Sequence, residues 1–284
     1  MNGYERIDME QIWFVIKALV MGIVEGLSEF LPISSTGHLI ITQNVLRWPS
    51  DAFTKMFSVV IQLGAILAVL ILFWPKLWDK LKSFFRGEKE GRNFMIIWVL
   101  GCVPAALIGV LADDFIDEHL FSVPTVIAAL VVGGIMMILM ERHFGKNIKV
   151  KTLEEITPRQ AVAVGLFQCL SLWPGFSRSA ATIMGGWACG FTTSLAAEYS
   201  FFLAIPIMFG ASGWSMRKVS FASLSSPEWI ALIIGFLVAF AVALLVVNQF
   251  MRFLRSHKLR GFAFYRFGLS ALLMVLLLTG VLVN

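Results

Sequence analysis

The chain has 284 residues, 58% of them hydrophobic and only 14% charged, with a net charge of +5. A soluble domain carries about 25% charged residues, so a water-facing globule does not fit. The basic excess sits between apolar runs, which points to membrane loops and excludes a nucleic-acid footprint.

The N-terminus, MNGYERIDMEQ, is polar and mixed, and no cleavable signal peptide is expected from it. Residues 11–46 are apolar but interrupted by Lys17, Glu25, Glu29, Pro32 and His38. Residues 57–74, 94–112, 120–140, 199–216, 229–251 and 267–284 then carry no charged side chain at all. A helix of about 20 residues crosses a hydrocarbon core roughly 30 Å thick, so six such stretches predict six transmembrane helices. A soluble helical core would need polar helix faces, and these stretches are apolar all round. Between the third and fourth of them, residues 160–197 are again apolar but broken at Pro174, Gly175 and Arg178. Cys102, Cys169 and Cys189 stand singly in apolar segments and read as small packed side chains, not metal ligands.

The loops orient the spans. Lys76, Lys80, Lys82, Arg86, Lys89 and Arg92 crowd 75–93; Arg142, Lys146, Lys149, Lys151 and Arg159 crowd 141–159; Arg252, Arg255, Lys258, Arg260 and Arg266 crowd 252–266. Loop 113–119 has no Lys or Arg, and 217–228 has only Arg217 and Lys218. The positive-inside rule places the three basic segments in the cytoplasm. The two interrupted regions, 11–46 and 160–197, then read as re-entrant helical hairpins joined at polar tips, because irregular backbone at that depth needs protein or a wet cavity around it. Two full crossings in each region, ten spans in all, satisfy the charge rule equally.

The chain also reads as two copies of one unit, 1–142 and 143–284, within a single membrane domain. Pro32 falls on Pro174, Ser35 on Ser177 and Phe57-Ser58 on Tyr199-Ser200 at an offset of 142; upstream, Gly22 meets Gly165 and Glu25 meets Gln168 at 143. Three crossings per copy invert the second copy, which lets the two tips meet near the midplane.

The tips hold the chemistry. Glu25 and Glu29 are four residues apart and share a helix face. Carboxylates in a membrane segment are costly, and a divalent cation with oxygen ligands, Mg²⁺ or Ca²⁺, relieves that cost; a protonated structural glutamate is the plainer reading. Ser34, Ser35 and Thr36 precede a helix, a place for N-caps and equally for an anion. Ser35 with His38 three residues on can form an activated nucleophile, or His38 can protonate a leaving group. In the second tip Ser177, Ser179 and Thr182 offer hydroxyls, and Arg178 offers a planar fork for phosphate oxygens or a pair for a glutamate.

The runs EGLSEFLPISSTGH at 25–38 and PGFSRSAAT at 174–182, with AEYSFFLAIP at 197–206, resemble the bacterial undecaprenyl-pyrophosphate phosphatase family of the bacitracin-resistance type over essentially the whole chain. The resemblance implies an all-α, multi-pass protein of the bacterial cytoplasmic membrane, with six crossings, two re-entrant hairpins and a site open to the outer face. It implies metal-dependent removal of the terminal phosphate from a C55 isoprenoid pyrophosphate, recycling the carrier lipid for cell-wall synthesis. By motif position it makes Glu25 and Glu29 metal-site acids, Ser35 and His38 the reactive pair, and Arg178 the pyrophosphate clamp. A lipid-phosphate transporter or flippase would want the same architecture and the same tips. Aromatic residues at the span ends, Trp74, Trp98, Trp173, Trp214 and Trp229, suit a lipid interface or a homodimer.

Overall fold

The computed structural model describes residues 3–48, 52–145, 148–217 and 224–282; Lys146 and Lys218, counted in the loops above, lie outside them. Apart from one parallel β-bridge between Val150 and Phe191, the regular structure of the described residues is helical. In chain order the helices are α1 (Gly3–Ser28), α2 (Ser35–Val45), α3 (Ala52–Phe85), α4 (Lys89–Leu111), α5 (Asp113–His119), α6 (Val123–Phe144), α7 (Pro158–Gln168), α8 (Arg178–Ala188), α9 (Thr193–Met216), α10 (Ser226–Phe253) and α11 (Arg260–Leu278). The chain is an all-α, multi-pass membrane protein.

Seven of these helices are long and apolar enough to cross a membrane. Six are the predicted spans. The seventh, Met9–Ser28, lies in the first interrupted region, where two half-length helices were expected. Its counterpart in the second copy is an 11-residue helix, α7. Local chemistry explains the difference. Pro158 stands at the first turn of α7, and Thr157 and Gln160 form a capping box whose side chains reach each other's backbone N–H groups. That arrangement starts a helix and prevents its extension backwards. The first copy has no such stop, and α1 runs on for 26 residues.

The residues before Pro158 become a strap instead. Lys149 and Val150 donate to Gly190 O at 2.8 and 3.0 Å, and Thr192 donates back to Val150 O at 3.0 Å. Val150, Leu153 and Ile156 are buried, so the strap is pinned by apolar side chains as well. Lys80 near the end of α3 pairs with Glu154 of the strap.

Small residues set the helix packing. A Cβ on Gly22 would stand 2.6 Å from Gly235 O, and one on Gly26 would stand 2.7 Å from Ala239 O. Both helices advance by four residues between these contacts, so α1 lies parallel to α10 with backbones close together, as glycine permits. In the second copy Gly165 brings α7 onto α4: a Cβ there would stand 2.7 Å from Gly101 O. The main core lies where α8, α9 and α3 meet, around Trp187, Tyr199, Phe201 and Phe202, all fully buried or nearly so. This packing holds the two tips, 29–34 and 173–177, inside the bundle.

Candidate functional site

Each tip ends in a serine with the same unusual backbone. Ser34 has φ 70° and ψ 105°, and Ser177 has φ 76° and ψ 118°. Positive φ is strained for a non-glycine residue and survives only where surroundings hold it. Each serine caps the helix that follows: Ser34 Oγ accepts from Gly37 N at 3.4 Å, and Ser177 Oγ accepts from Ala180 N at 3.3 Å. The structural counterpart of Ser177 is therefore Ser34, and the sequence pairing of Ser35 with Ser177 is one residue out. One residue separates Pro32 from its cap, two separate Pro174 from its own, so aligning the prolines misaligns the caps.

This register places Ser35 opposite Arg178, each the first residue of its helix. Both reach Glu29. Ser35 Oγ donates to Glu29 Oε2 at 2.6 Å, and Arg178 Nη2 lies 3.6 Å from Glu29 Oε1. The Glu29 and Arg178 side chains are only 8% and 10% exposed. Phe30 lies beneath the guanidinium, with Arg178 Cζ 5.7 Å from its ring centroid. Ser179 Oγ donates to Leu31 O at 3.0 Å and lies 3.1 Å from Ser177 Oγ, locking one tip against the other. Arg178 Nη1 donates to Ser200 O at 3.1 Å, and Thr182 Oγ1 donates to Ser200 Oγ at 2.6 Å. Arg178 Nε and Nη2 make no hydrogen bond, so two donor groups of its fork remain for an anion. Thr36, on the first turn of α2, is half-buried.

The expected Ser35–His38 pair does not form. His38 Nδ1 lies 2.7 Å from Ser34 O, and its Nε2 lies 2.8 Å from Tyr265 Oη. A carbonyl oxygen only accepts, so Nδ1 carries the proton and Nε2 accepts from the tyrosine. The His38 and Tyr265 rings also stack, with centroids 5.6 Å apart. Glu29, not His38, is the base within reach of Ser35.

Glu25 lies one turn before Glu29 and is buried, with Oε2 lacking any hydrogen-bond partner. Among the described residues no cluster of three or more His, Cys, Asp or Glu side chains forms a protein-made cage. The local donors are all oxygens, from Glu25, Glu29 and Ser35. They fit a hard cation held by one or two carboxylates, whose remaining ligands are water and phosphate oxygens.

Two residues of the site were not foreseen. Tyr265 orients His38, and its neighbour Arg266, fully buried, donates to the carbonyls of Pro32, Gly175 and Phe176 in the tips. The charge rule had counted Arg266 among the cytoplasmic basic residues; it stands six residues inside α11 instead.

The family description "Bacitracin resistance protein BacA" matches residues 18–272 of the chain. The undecaprenyl-diphosphatase of Clostridium tetani is 48% identical over 262 residues, covering 92% of this chain and 96% of that protein. The undecaprenyl-diphosphatase of Caldanaerobacter subterraneus subsp. tengcongensis is 48% identical over 263 residues, covering 93% and 96%. The undecaprenyl-diphosphatase 2 of Clostridioides difficile is 44% identical over 277 residues, covering 95% and 97%.

Proposed function

The chain belongs to the family of the bacitracin resistance protein BacA, and we propose that it hydrolyses undecaprenyl pyrophosphate to the monophosphate and inorganic phosphate. That activity recycles the carrier lipid for cell-wall synthesis and confers bacitracin resistance. It is an enzyme of the membrane, and its substrate is a lipid whose isoprenoid chain stays in the apolar phase while the headgroup enters the site.

One observation carries the mechanism: Glu29 receives Ser35 from one tip and faces Arg178 from the other. Glu29 Oε2 accepts the Ser35 proton as Ser35 Oγ attacks the terminal phosphorus, the arrangement of an activated nucleophile and its base; the bridging P–O bond breaks and the lipid monophosphate leaves. Arg178 turns its free donors to the phosphoryl oxygens and stabilises the charge that develops on them. The N–H groups at the start of α2 and α8, with Ser34, Ser177, Ser179 and Thr182 around them, cradle the remaining oxygens. Glu25 and Glu29 would hold a Mg²⁺ or Ca²⁺ ion, which would supply charge neutralisation for the pyrophosphate. Water then attacks the phosphoserine phosphorus and the P–Oγ bond breaks; Ser35 recovers its proton from Glu29 and inorganic phosphate leaves. His38, whose Nδ1–H is taken by Ser34 O and whose Nε2 accepts from Tyr265, shapes the start of α2 and so the place of Ser35.

The basic loops support a topology to match. The two hairpins are re-entrant: α1 and α2 come from the outer face, α7 and α8 from the cytoplasm. At the outer ends of α2, α3 and α6 lies a cavity of about 860 Å³, lined by Ile40, Gln43, Arg47, Trp48 and Val126 among others. On the opposite side a cavity of about 180 Å³ lies beside the strap, between Lys80, Phe94, Leu153 and Glu154. The basic loops place those ends of α2, α3 and α6 outside, and on that reading the site is served from the outer face of the cytoplasmic membrane. Aromatic side chains at the span ends suit lipid and a second copy alike, and sedimentation of the solubilised protein separates monomer from homodimer.

The test is phosphate release from a C55 isoprenoid pyrophosphate by purified protein in detergent. Wild-type protein releases phosphate, and Arg178→Ala loses most of that rate. Arg178→Ala at the wild-type rate would overturn the mechanism, and lipid translocation in vesicles without release would overturn the activity.

A further inference from the structure

The guanidinium of Arg266 is fully buried, and every one of its donors goes to a backbone carbonyl. Nε donates to Leu130 O at 3.1 Å and Nη2 to Ala129 O at 3.0 Å, both on α6. Nη1 donates to Phe176 O at 2.7 Å and to Pro32 O at 3.5 Å, and Nη2 donates also to Gly175 O at 3.3 Å. Five N–H groups meet five carbonyls, the full capacity of an arginine. Among the described residues no carboxylate pairs with it. A buried arginine inside a membrane helix is costly and marks function by default.

The carbonyls it holds are not arbitrary. Pro32 stands two residues before the cap Ser34, and Gly175 and Phe176 stand immediately before the cap Ser177. The next residue after each cap is Ser35 or Arg178, the two groups that converge on Glu29. Arg266 thus grips both tips just upstream of their reactive residues and ties them to one rigid support, α6. Hydrogen bonds to carbonyls of both tips fix their separation as no apolar contact could, because their direction is specific.

We propose that Arg266 is a positioning residue for the reaction: it sets the distance between the two tips, and so between Ser35 with Glu29 and the Arg178 guanidinium. It touches no substrate. The proposal rests on the phosphatase reading for its kinetic readout, and on backbone protection for a readout independent of it. Lysine keeps the charge but has only three donors, so Arg266→Lys cannot hold α6 and both tips at once. A second perturbation leaves the arginine in place. A Cβ on Gly133 of α6 would stand 2.9 Å from Arg266 Cζ and press on Nη2, so Gly133→Ala pushes the guanidinium off its carbonyls. Gly268→Ala, on the same helix as Arg266 and with nothing within 4 Å of the new Cβ, is the control.

The experiment uses the full-length protein in detergent. Misplacement by about 1 Å costs on the order of 100-fold in rate. Arg266→Lys and Gly133→Ala are expected to lower kcat about 100-fold with KM within threefold, while Gly268→Ala keeps both. Adding Arg178→Lys to Arg266→Lys is expected to cost far less than it does alone, because the clamp is already displaced. Hydrogen exchange at residues 29–36 and 174–180 is expected to quicken in both variants and not in the control, whatever the substrate. Wild-type kcat in a folded Arg266→Lys or Gly133→Ala protein, a loss confined to KM, or multiplicative losses with Arg178→Lys would overturn the role. If Arg266→Lys fails to fold, the decision falls to Gly133→Ala. If wild-type protein releases no phosphate, the activity is wrong; unchanged exchange at the tips would then separately remove the positioning role.

Discussion

Gly175→Ala is a sharp test of how the second tip is held. Gly175 has φ +95°, a backbone region that costs an L-residue about 1–2 kcal/mol. The new Cβ would also stand 2.8 Å from Val126 O and 3.0 Å from Val126 Cα, backbone atoms that have little freedom to retreat. Overpacking of this kind costs about 1–3 kcal/mol, so the two terms give about 2–5 kcal/mol. The protein can bear that cost as lost stability or relieve it by moving the tip. Movement would drag Phe176 and Arg178 from Glu29, and a shift of about 1 Å costs on the order of 100-fold in turnover. Thermal unfolding in detergent, run beside phosphate release, reads both routes. Gly87→Ala is the comparison, because Gly87 has φ +75° with nothing within 4 Å of its Cβ. It should show the backbone cost alone, about 1–2 kcal/mol, and full turnover. A Gly175→Ala protein with wild-type melting and wild-type turnover would refute the account of the tip.

Three further outcomes are expected. Tyr265→Phe removes the hydroxyl that donates to His38 Nε2 at 2.8 Å; a lost neutral hydrogen bond is worth about 1 kcal/mol, so kcat should fall about fivefold with KM unchanged, and an unchanged kcat would remove His38 from the placing of Ser35. Chelation by EDTA should abolish phosphate release and added Mg²⁺ or Ca²⁺ restore it, with Glu25→Gln raising the cation concentration required at least about tenfold; full activity in EDTA would remove the metal. The Lys80 ammonium, donating to Glu154, holds that carboxyl below its usual range. A depressed folded-state value adds stability above the unfolded carboxylate pKa and loses it as pH falls through the lower folded value. Glu154 is half-exposed, so the gain is at most about 1 kcal/mol. Wild-type protein should melt higher than Glu154→Gln at neutral pH, and the gap should close on acidification; a gap that widens in acid would contradict the role of the Lys80–Glu154 pair.

The spans were legible because 18 or more consecutive residues without charge leave a chain few places to go. The tips were legible for the opposite reason: Glu25, Glu29, His38 and Arg178 are ionisable groups in apolar surroundings, each needing a partner. What the sequence hid was geometric. Pro32 and Pro174 invited an alignment that the caps overrule, and only the φ values of Ser34 and Ser177 reveal the true register. Ser35 stands near His38 in sequence, but α2 begins at Ser35 and turns the histidine toward Tyr265 on a helix 227 residues away. Tyr265 and Arg266 were invisible because they end a run of basic residues, and nothing local distinguishes an arginine at the membrane surface from one six residues deeper. The short α7 was legible in principle: Thr157, Pro158 and Gln160 together are a helix-start signal.

The central claim is that Glu29 joins the hydroxyl of one tip to the guanidinium of the other in a single phosphatase site. Phosphate release from C55 isoprenoid pyrophosphate by purified Glu29→Gln protein tests it most directly, since glutamine keeps the shape and removes the base. General-base catalysis is worth about 100- to 10,000-fold. The account predicts a loss of that size in kcat with melting close to wild type; a folded Glu29→Gln protein turning over at the wild-type rate would contradict it.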